Sequence, residues 1–142
     1  MTTPFLSVRG LSKQFKPAAF SSGPTVTVLK DISFDIPRGE VVGLVGESGS
    51  GKTTIGRSIL RLIDPTAGEV MMGETDIARL SPAQLRVQRR RMQYVFQDPF
   101  ASLSPRMTIG QILTEGLDIQ RIGNRAERRI RAERALELVE LP

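Results

Sequence analysis

The sequence contains no cysteine and no histidine. Without cysteine, the chain can form neither a disulfide nor a thiolate zinc site, and it has no thiol nucleophile. Without histidine, it lacks the side chain that most often serves as a general acid or base near neutral pH. These absences exclude cysteine- and histidine-based catalysis within the 142 residues. The lack of cysteine is consistent with a cytosolic protein.

Long apolar runs are also missing. The longest continuous run, residues 41–45, is far shorter than the roughly 20 residues that a membrane-spanning helix needs. The first ten residues show no basic segment followed by the apolar stretch of a secretory signal. We therefore expect neither a transmembrane segment nor a signal peptide. With 39% hydrophobic and 25% charged residues, the composition is that of a soluble globular protein.

The formal net charge is +5, and most of the excess lies after residue 80. A basic chain favours anionic partners such as nucleotides, nucleic acid or a lipid surface. Arg86, Arg89 and Arg90 have the spacing of one solvated helix face, and only 5% of the residues are aromatic. Because single-stranded nucleic acid is usually bound with stacking aromatics, no nucleic-acid partner is expected.

Apolar periodicity predicts the order of the elements. Residues 6–11 and 26–36 alternate and predict an antiparallel β-meander, whereas the continuous run 41–45 predicts a strand buried on both faces of a parallel sheet. Further strands are predicted at residues 69–72 and 92–96.

Helical spacing and capping residues predict four helices. The first covers residues 53–63, and the second starts at Ser81-Pro82 and includes the arginine cluster 86–91. Thr108 is expected to cap a short third helix. Asn124 and Glu127 begin a longer fourth one, whose predicted apolar stripe consists of Ile130, Ala135, Leu136 and Leu138.

A glycine-rich segment between the predicted strand 41–45 and the first helix matches G-x-x-x-x-G-K-[ST] at every fixed position. In such a P-loop the backbone N–H groups surround phosphate oxygens, and the helix N-terminus adds its positive dipole. Lys52 would contact the β- and γ-phosphates, and the Thr53 hydroxyl would bind Mg²⁺. The alternative, a glycine-rich turn that happens to contain Gly-Lys-Thr, does not explain the strand and helix around it. The predicted nucleotide-binding residues are Gly46, Glu47, Ser48, Gly49, Ser50, Gly51, Lys52, Thr53 and Thr54.

Three stretches of the sequence resemble the ATP-binding subunits of ABC transporters, in particular those of oligopeptide, dipeptide and nickel importers. They are GEVVGLVGESGSGKTT (residues 39–54), PTAG (residues 65–68) and YVFQDPFASLSPRM (residues 94–107). The resemblance is collinear over nearly the whole chain, and it is weakest in residues 16–25 and 118–142. Ser104 stands where the peptide-importer pattern usually has Asn, a change that suits the turn before Pro105 equally well.

The resemblance implies roles for residues outside the P-loop. Gln97 would bind Mg²⁺, help to position the attacking water and link the nucleotide state to the membrane partner. Lys52 and Gln97 are therefore the catalytic candidates, and Thr53 and Gln97 the metal-binding ones. Phe15 would stack on the adenine base, although a core aromatic on the β-meander explains it equally well. Phe20 is a lesser candidate for the same role.

The family's signature loop, its catalytic glutamate and its switch histidine are not found in the sequence. We therefore expect the N-terminal portion of a longer subunit, which binds ATP and Mg²⁺ without efficient hydrolysis on its own. The predicted fold is α/β, a P-loop NTPase core with an antiparallel β-subdomain (residues 1–96). It is followed by the segment around Gln97, which resembles the family's Q-loop, and by the start of the helical subdomain (residues 97–142).

The resemblance also implies the setting of the protein. The expected function is to power the import of peptides or related solutes from the cytoplasmic face of the membrane, as a peripheral subunit. The expected partners are integral membrane permease subunits and a second ATP-binding subunit, as a homo- or heterodimer. The alternatives are a non-transport ABC-type ATPase of DNA repair or translation, and an inactive nucleotide-binding remnant.

Overall fold

Two long antiparallel strands begin the structure, a computed structural model that describes residues 4–17, 23–98 and 103–141. β1 spans Leu6–Phe15 and β2 spans Val26–Ile36, so both alternating segments form strands as predicted. β3 (Ala67–Met72) and the short β4 (Thr75–Asp76) complete a sheet in the order β2-β1-β3-β4. Every neighbouring pair is antiparallel.

The buried core lies on this sheet. Leu6 and Val8 share one face of β1, as alternation along a strand requires, and Val70 on β3 is the register partner of Val8. The helices that follow β2 and β4 add apolar side chains to it. The buried apolar cluster consists of Leu6, Val8, Leu11, Leu29, Ile55, Val70, Met72, Ile77 and Leu85.

The first helix, α1 (Lys52–Ile59), ends before its predicted end at Ile63. Arg61 adopts a left-handed conformation with a φ of 51°. The N–H of Leu62 donates to the carbonyl of Arg57 at 2.8 Å, the hydrogen bond of a Schellman motif. This motif stops the helix, so the prediction of a helix up to Ile63 is wrong.

Two predicted strands do not form. Residues 41–45 and 92–96 belong to no strand of the sheet, and Val41 and Val45 are 99% and 95% exposed. A strand exists only where a neighbouring strand accepts and donates its backbone hydrogen bonds. No strand within residues 4–17, 23–98 and 103–141 pairs with either segment.

The three later helices begin where the capping residues predict. α2 (Pro82–Gln88) starts at Ser81, α3 (Ile109–Ile119) at Thr108 and α4 (Arg125–Glu137) at Asn124. In each helix, the N-cap side chain accepts a hydrogen bond from the backbone N–H of the residue three positions later. The side chain of that later residue accepts a hydrogen bond from the backbone N–H of the N-cap residue. These three predictions are confirmed. Two short 3₁₀ helices, Ile77–Arg79 and Arg89–Arg91, flank α2.

The predicted apolar stripe of α4 is only partly correct. Ile130 and Leu138 are 63% and 77% exposed, whereas Ala132 is the buried residue of the helix. Leu136, with Ala132, lines the pocket that α3 and α4 form between them, so the inner face of α4 is rotated from the one predicted.

The described residues separate into two units, one up to Tyr94 and one from Val95 onward. The first holds the sheet, α1 and α2, and the second holds α3 and α4. The predicted division after residue 96 stays a prediction. Among the helices of the described ranges, none has the length and apolar content to cross a bilayer.

The hydroxyl of Ser58 on α1 predicts a simple gain in stability. Ser58 is 1% exposed, and its Oγ has no hydrogen-bond partner in the described part of the chain. A buried polar group without a partner costs about 1–3 kcal/mol, and alanine is also the better helix former. We expect Ser58→Ala to raise the free energy of unfolding by about 1–2 kcal/mol in urea denaturation. Ser81→Ala, which removes a capping hydroxyl, should instead lower it by about 1 kcal/mol. A loss of stability in Ser58→Ala would contradict the prediction.

An ion pair between β1 and β2 predicts a pH dependence. Arg9 Nη2 lies 2.7 Å from Asp35 Oδ2. This hydrogen bond, and a second one from Ser7, lower the pKa of Asp35 below its ordinary 3.8. The pair therefore stabilises the fold above pH 3.8, and this contribution is lost as the pH falls through the lowered pKa. Asp35→Asn and Arg9→Met should each remove this part of the acid dependence in thermal melts between about pH 2 and pH 6. A melting curve of either variant with the full acid dependence of the parent would refute the assignment.

Candidate functional site

The glycine-rich segment forms a tight loop at the start of α1. The N–H of Ser50 donates to the carbonyl of Glu47 at 3.2 Å, which closes a turn. Lys52 Nζ donates to the carbonyls of Gly46 and Glu47 at 2.7 and 2.5 Å, and it lies 3.3 Å from Ser50 Oγ. The ammonium group is thereby held against its own loop, and its positive charge has a defined place there.

Gly51 joins this loop to the sheet. It has a φ of 94°, a region that L side chains rarely adopt. A Cβ at this position would lie 2.9 Å from Leu29 Cδ2 and 3.3 Å from the carbonyl oxygen of Val28. Only glycine therefore lets β2 pack this closely against the end of the loop. The contact fixes where the loop stands relative to the sheet.

The N-terminus of α1 differs from those of the other α-helices. Gly51 is its N-cap and makes no side-chain cap hydrogen bond, whereas α2, α3 and α4 each have a full capping box. The first N–H groups of a helix have no partner within the helix, and the helix dipole is positive at this end. In the described part of the chain, α1 is the α-helix whose first turn is open to an external anion.

The other predicted P-loop residues lie around this helix start. Thr53, in the first turn of α1, is exposed, and Thr54 is half-buried. Ser48 and Gly49 form the exposed tip of the loop. The structure thus brings residues 46–54 together in one loop and helix turn, and their assignment to a nucleotide is a proposal taken up below.

Phe15 lies at the end of β1, and its side chain is 42% exposed. Its register partner on β2 is Val26, two residues from Val28, which flanks Gly51. The ring is not part of the buried core cluster. Phe20 lies outside the described residues.

The sequence pattern does not mark Lys13 as a site residue, and the structure places it beside Phe15. Its ammonium nitrogen is 4.9 Å from the centroid of the Phe15 ring and donates to the carbonyl of Asp64 at 2.7 Å. The sequence gives one indication of this contact: Lys13 and Phe15 are two residues apart, and this spacing puts both side chains on one face of a strand. A cation next to an aromatic ring is an arrangement that spacing allows but does not require.

Gln97 lies in the second unit, where it is exposed at a bend of the chain. The rest of the motif around it is only partly described, because residues 99–102 lie outside the described ranges. Its predicted roles in binding Mg²⁺ and in positioning water stay predictions.

The arginine cluster 86–91 is exposed at all four arginines. Arg89 Nη2 donates to the carbonyl of Arg61 at 3.1 Å, so this side chain supports the turn that ends α1.

In the second unit, the pocket of about 580 Å³ between α3 and α4 is lined by Arg128 and Arg129. These two arginines pair with Asp118 and Glu133 and are neutralised within the pocket wall.

A P-loop sequence that leads into a helix with an uncapped N-terminus, beside an antiparallel sheet, is typical of the P-loop class of proteins. Comparison with known proteins extends this to a family, because residues 29–142 match the family model described as ABC transporter. The chain belongs to the ABC transporter family.

Solved structures confirm the predicted fold class. The ATP-binding cassette MJ0796, in its dimeric post-hydrolysis state bound to ADP and Pi, matches with a TM-score of 0.79 and 29% identity. The match covers 96% of this chain and 58% of that one. A second dimeric structure of the same bacterial ABC transporter cassette gives a TM-score of 0.76. The α/β fold is that of an ABC ATPase cassette.

Curated relatives are similar over almost the whole chain. A putative peptide import ATP-binding protein of Brucella ovis is 66% identical over 99% of this chain and 43% of its own length. The oligopeptide transport ATP-binding protein OppF of Bacillus subtilis is 46% identical over 99% of this chain and 46% of its own. The glutathione import ATP-binding protein GsiA of Shigella dysenteriae is 43% identical over 82% of this chain and 19% of its own. The chain therefore spans less than half the length of these relatives.

Gly51 offers a test of how the loop is held. Gly51→Ala should lower the free energy of unfolding by about 2–4 kcal/mol, because it adds the cost of a left-handed conformation to that of overpacking against β2. Gly49→Ala is the matched control, since Gly49 has a φ of 83° and an added Cβ would meet nothing within 4 Å. It should cost only about 1–2 kcal/mol. Equal losses in urea denaturation would show that the contact with β2 contributes nothing.

Proposed function

We propose that this chain is the nucleotide-binding portion of an ATP-binding subunit that powers peptide import through an ABC transporter. The observation that carries the proposal is the position of Lys52, whose ammonium is fixed by the P-loop carbonyls at the uncapped N-terminus of α1. A lysine charge and a row of free backbone N–H groups at one point form a site for a polyphosphate.

The residues present fit ATP and Mg²⁺. The open first turn of α1 and the loop of residues 46–51 provide N–H donors for phosphate oxygens, and Lys52 provides the charge for the β- and γ-phosphates. The exposed Thr53 hydroxyl is the protein ligand of Mg²⁺ that we propose in the first unit. The resemblance to the family implies the side-chain oxygen of Gln97 as a second ligand. When bound, the metal ion neutralises charge on the phosphates during phosphoryl transfer. The exposed ring surface of Phe15 is the proposed platform for the adenine base.

The transported solute is inferred from the relatives. Those reported above are named for the import of peptides, oligopeptides or glutathione, and the similarity covers almost the whole chain. The motif around Gln97 points to the same branch. We propose as partners integral membrane permease subunits and a second ATP-binding subunit, with the chain peripheral at the cytoplasmic face of the membrane. The solved cassette is itself dimeric.

The alternative of a non-transport ATPase receives less support, because the relatives are import proteins. Genes for two integral membrane subunits and a solute-binding protein beside the gene of this chain would favour import. Neighbouring genes of DNA repair or translation would favour the alternative. Binding without efficient hydrolysis stays a prediction, and turnover close to that of an intact transporter ATPase would contradict it.

Removal of the Lys52 charge tests the nucleotide site. A hydrogen bond to a charged group contributes about 1.5–3 kcal/mol, which corresponds to about 10- to 150-fold in affinity. We expect Lys52→Ala to weaken binding of Mg-ATP by this factor in isothermal titration calorimetry. Arg57→Ala, which removes a positive charge from the last turn of the same helix, is the matched control and should change the affinity little. If Lys52→Ala binds Mg-ATP as tightly as the parent chain, the site is not where we propose.

A further inference from the structure

Lys13 links the proposed base platform to the turn that follows α1. Its Nζ is 4.9 Å from the Phe15 ring centroid and 2.7 Å from the carbonyl oxygen of Asp64. The first contact holds the ammonium next to the ring, and the second ties it to a backbone atom that side-chain rotation cannot move. The cation therefore has a defined position relative to the ring.

The turn that receives Lys13 is itself fixed. Arg61 Nε donates to Asp64 Oδ1 at 2.8 Å, and the N–H of Thr66 donates to the carbonyl of Ser12 at 2.8 Å. The Thr66 hydroxyl also accepts from the N–H of Gln14 at 3.0 Å. Residues on both sides of Lys13 are thus bonded to the same turn. These bonds fix the end of β1, which carries Phe15, relative to this turn.

A cation at this distance acts on the ring electronically as well as sterically. The face of an aromatic ring is negative and attracts an ammonium group. Aromatic rings repel one another when their negative faces meet, which is why they stack with an offset. A cation next to Phe15 draws density from the ring and reduces this repulsion toward a base stacked on its exposed surface.

We propose that Lys13 is a positioning residue of the nucleotide-base site, which orients the Phe15 ring and strengthens its stacking with the base of ATP. This inference rests on the proposed function. It assigns to Lys13 a role in base recognition and none in holding the phosphates, whose lysine is Lys52.

The test compares ligands with and without a base. Affinities for Mg-ATP and for Mg-tripolyphosphate are measured by titration calorimetry for the parent chain and for Lys13→Met, Lys13→Arg and Phe15→Ala. Lys13→Met keeps the length and apolar stem of the side chain but removes the charge. We expect it to weaken Mg-ATP binding by about 2-fold and by no more than about 5-fold, the upper bound being the whole energy of an exposed cation–π contact, and to leave tripolyphosphate binding unchanged.

Two further variants separate positioning from folding. Lys13→Arg keeps a cation that can reach both the ring and the Asp64 carbonyl, so it should retain the parent affinity for Mg-ATP. In a Phe15→Ala background, Lys13→Met should have no further effect, because the ring through which Lys13 acts is gone. Thermal melts of each variant check that the fold is kept.

Different results would contradict the proposed role of Lys13 and the proposed nucleotide-binding function. Equal weakening of both ligands in Lys13→Met would mean that Lys13 acts on the phosphates or on the fold. Unchanged ATP affinity in Lys13→Met, with weakened affinity in Phe15→Ala, would remove Lys13 from base recognition and leave the proposed function intact. If the parent chain binds neither ligand, the proposed function fails, and the role of Lys13 with it.

Discussion

The close contact between β2 and the end of the P-loop is the constraint on which the arrangement of the site depends. Because Gly51 has no Cβ, Val28 and Leu29 can lie against it, and the loop takes its position from the sheet. β2 pairs in turn with β1, whose last residue is Phe15. One glycine therefore relates the phosphate end of the proposed site to its base end. The rigid element between them is a pair of antiparallel strands.

Features encoded within a few residues could be predicted from the sequence. The three capping boxes depend on residues three apart, and Ser81, Thr108 and Asn124 begin helices as expected. Alternation along β1 and β2 is likewise local. The family resemblance, which is carried by residues 39–54, 65–68 and 94–107, predicted the ABC ATPase cassette fold that the solved structures confirm.

Features that need a distant partner could not be predicted in the same way. Residues 41–45 have the composition of a buried strand, but composition does not provide the neighbouring strand that must pair with them, and Val41 is exposed. The end of α1 depended on a left-handed Arg61, a conformation that its sequence does not signal. On α4, the choice of inner face was decided by packing on α3, which favours Ala132 over the larger Ile130. The contact of Lys13 with Phe15 is of the same kind, since it needs Asp64 to hold the ammonium in place.

Because the N-terminus of α1 has no cap, binding of an anion there and the stability of the helix are thermodynamically linked. Three helices begin with a capping side chain, whereas α1 begins at Gly51, which has no side chain that could cap it. An anion bound there becomes the cap of the helix, and whatever it contributes to binding also holds the first turn of α1 closed. Amide hydrogens of that turn should then exchange quickly with solvent in the free chain and slowly in the occupied one. Through its uncapped start, α1 couples ligand binding to the stability of its own first turn.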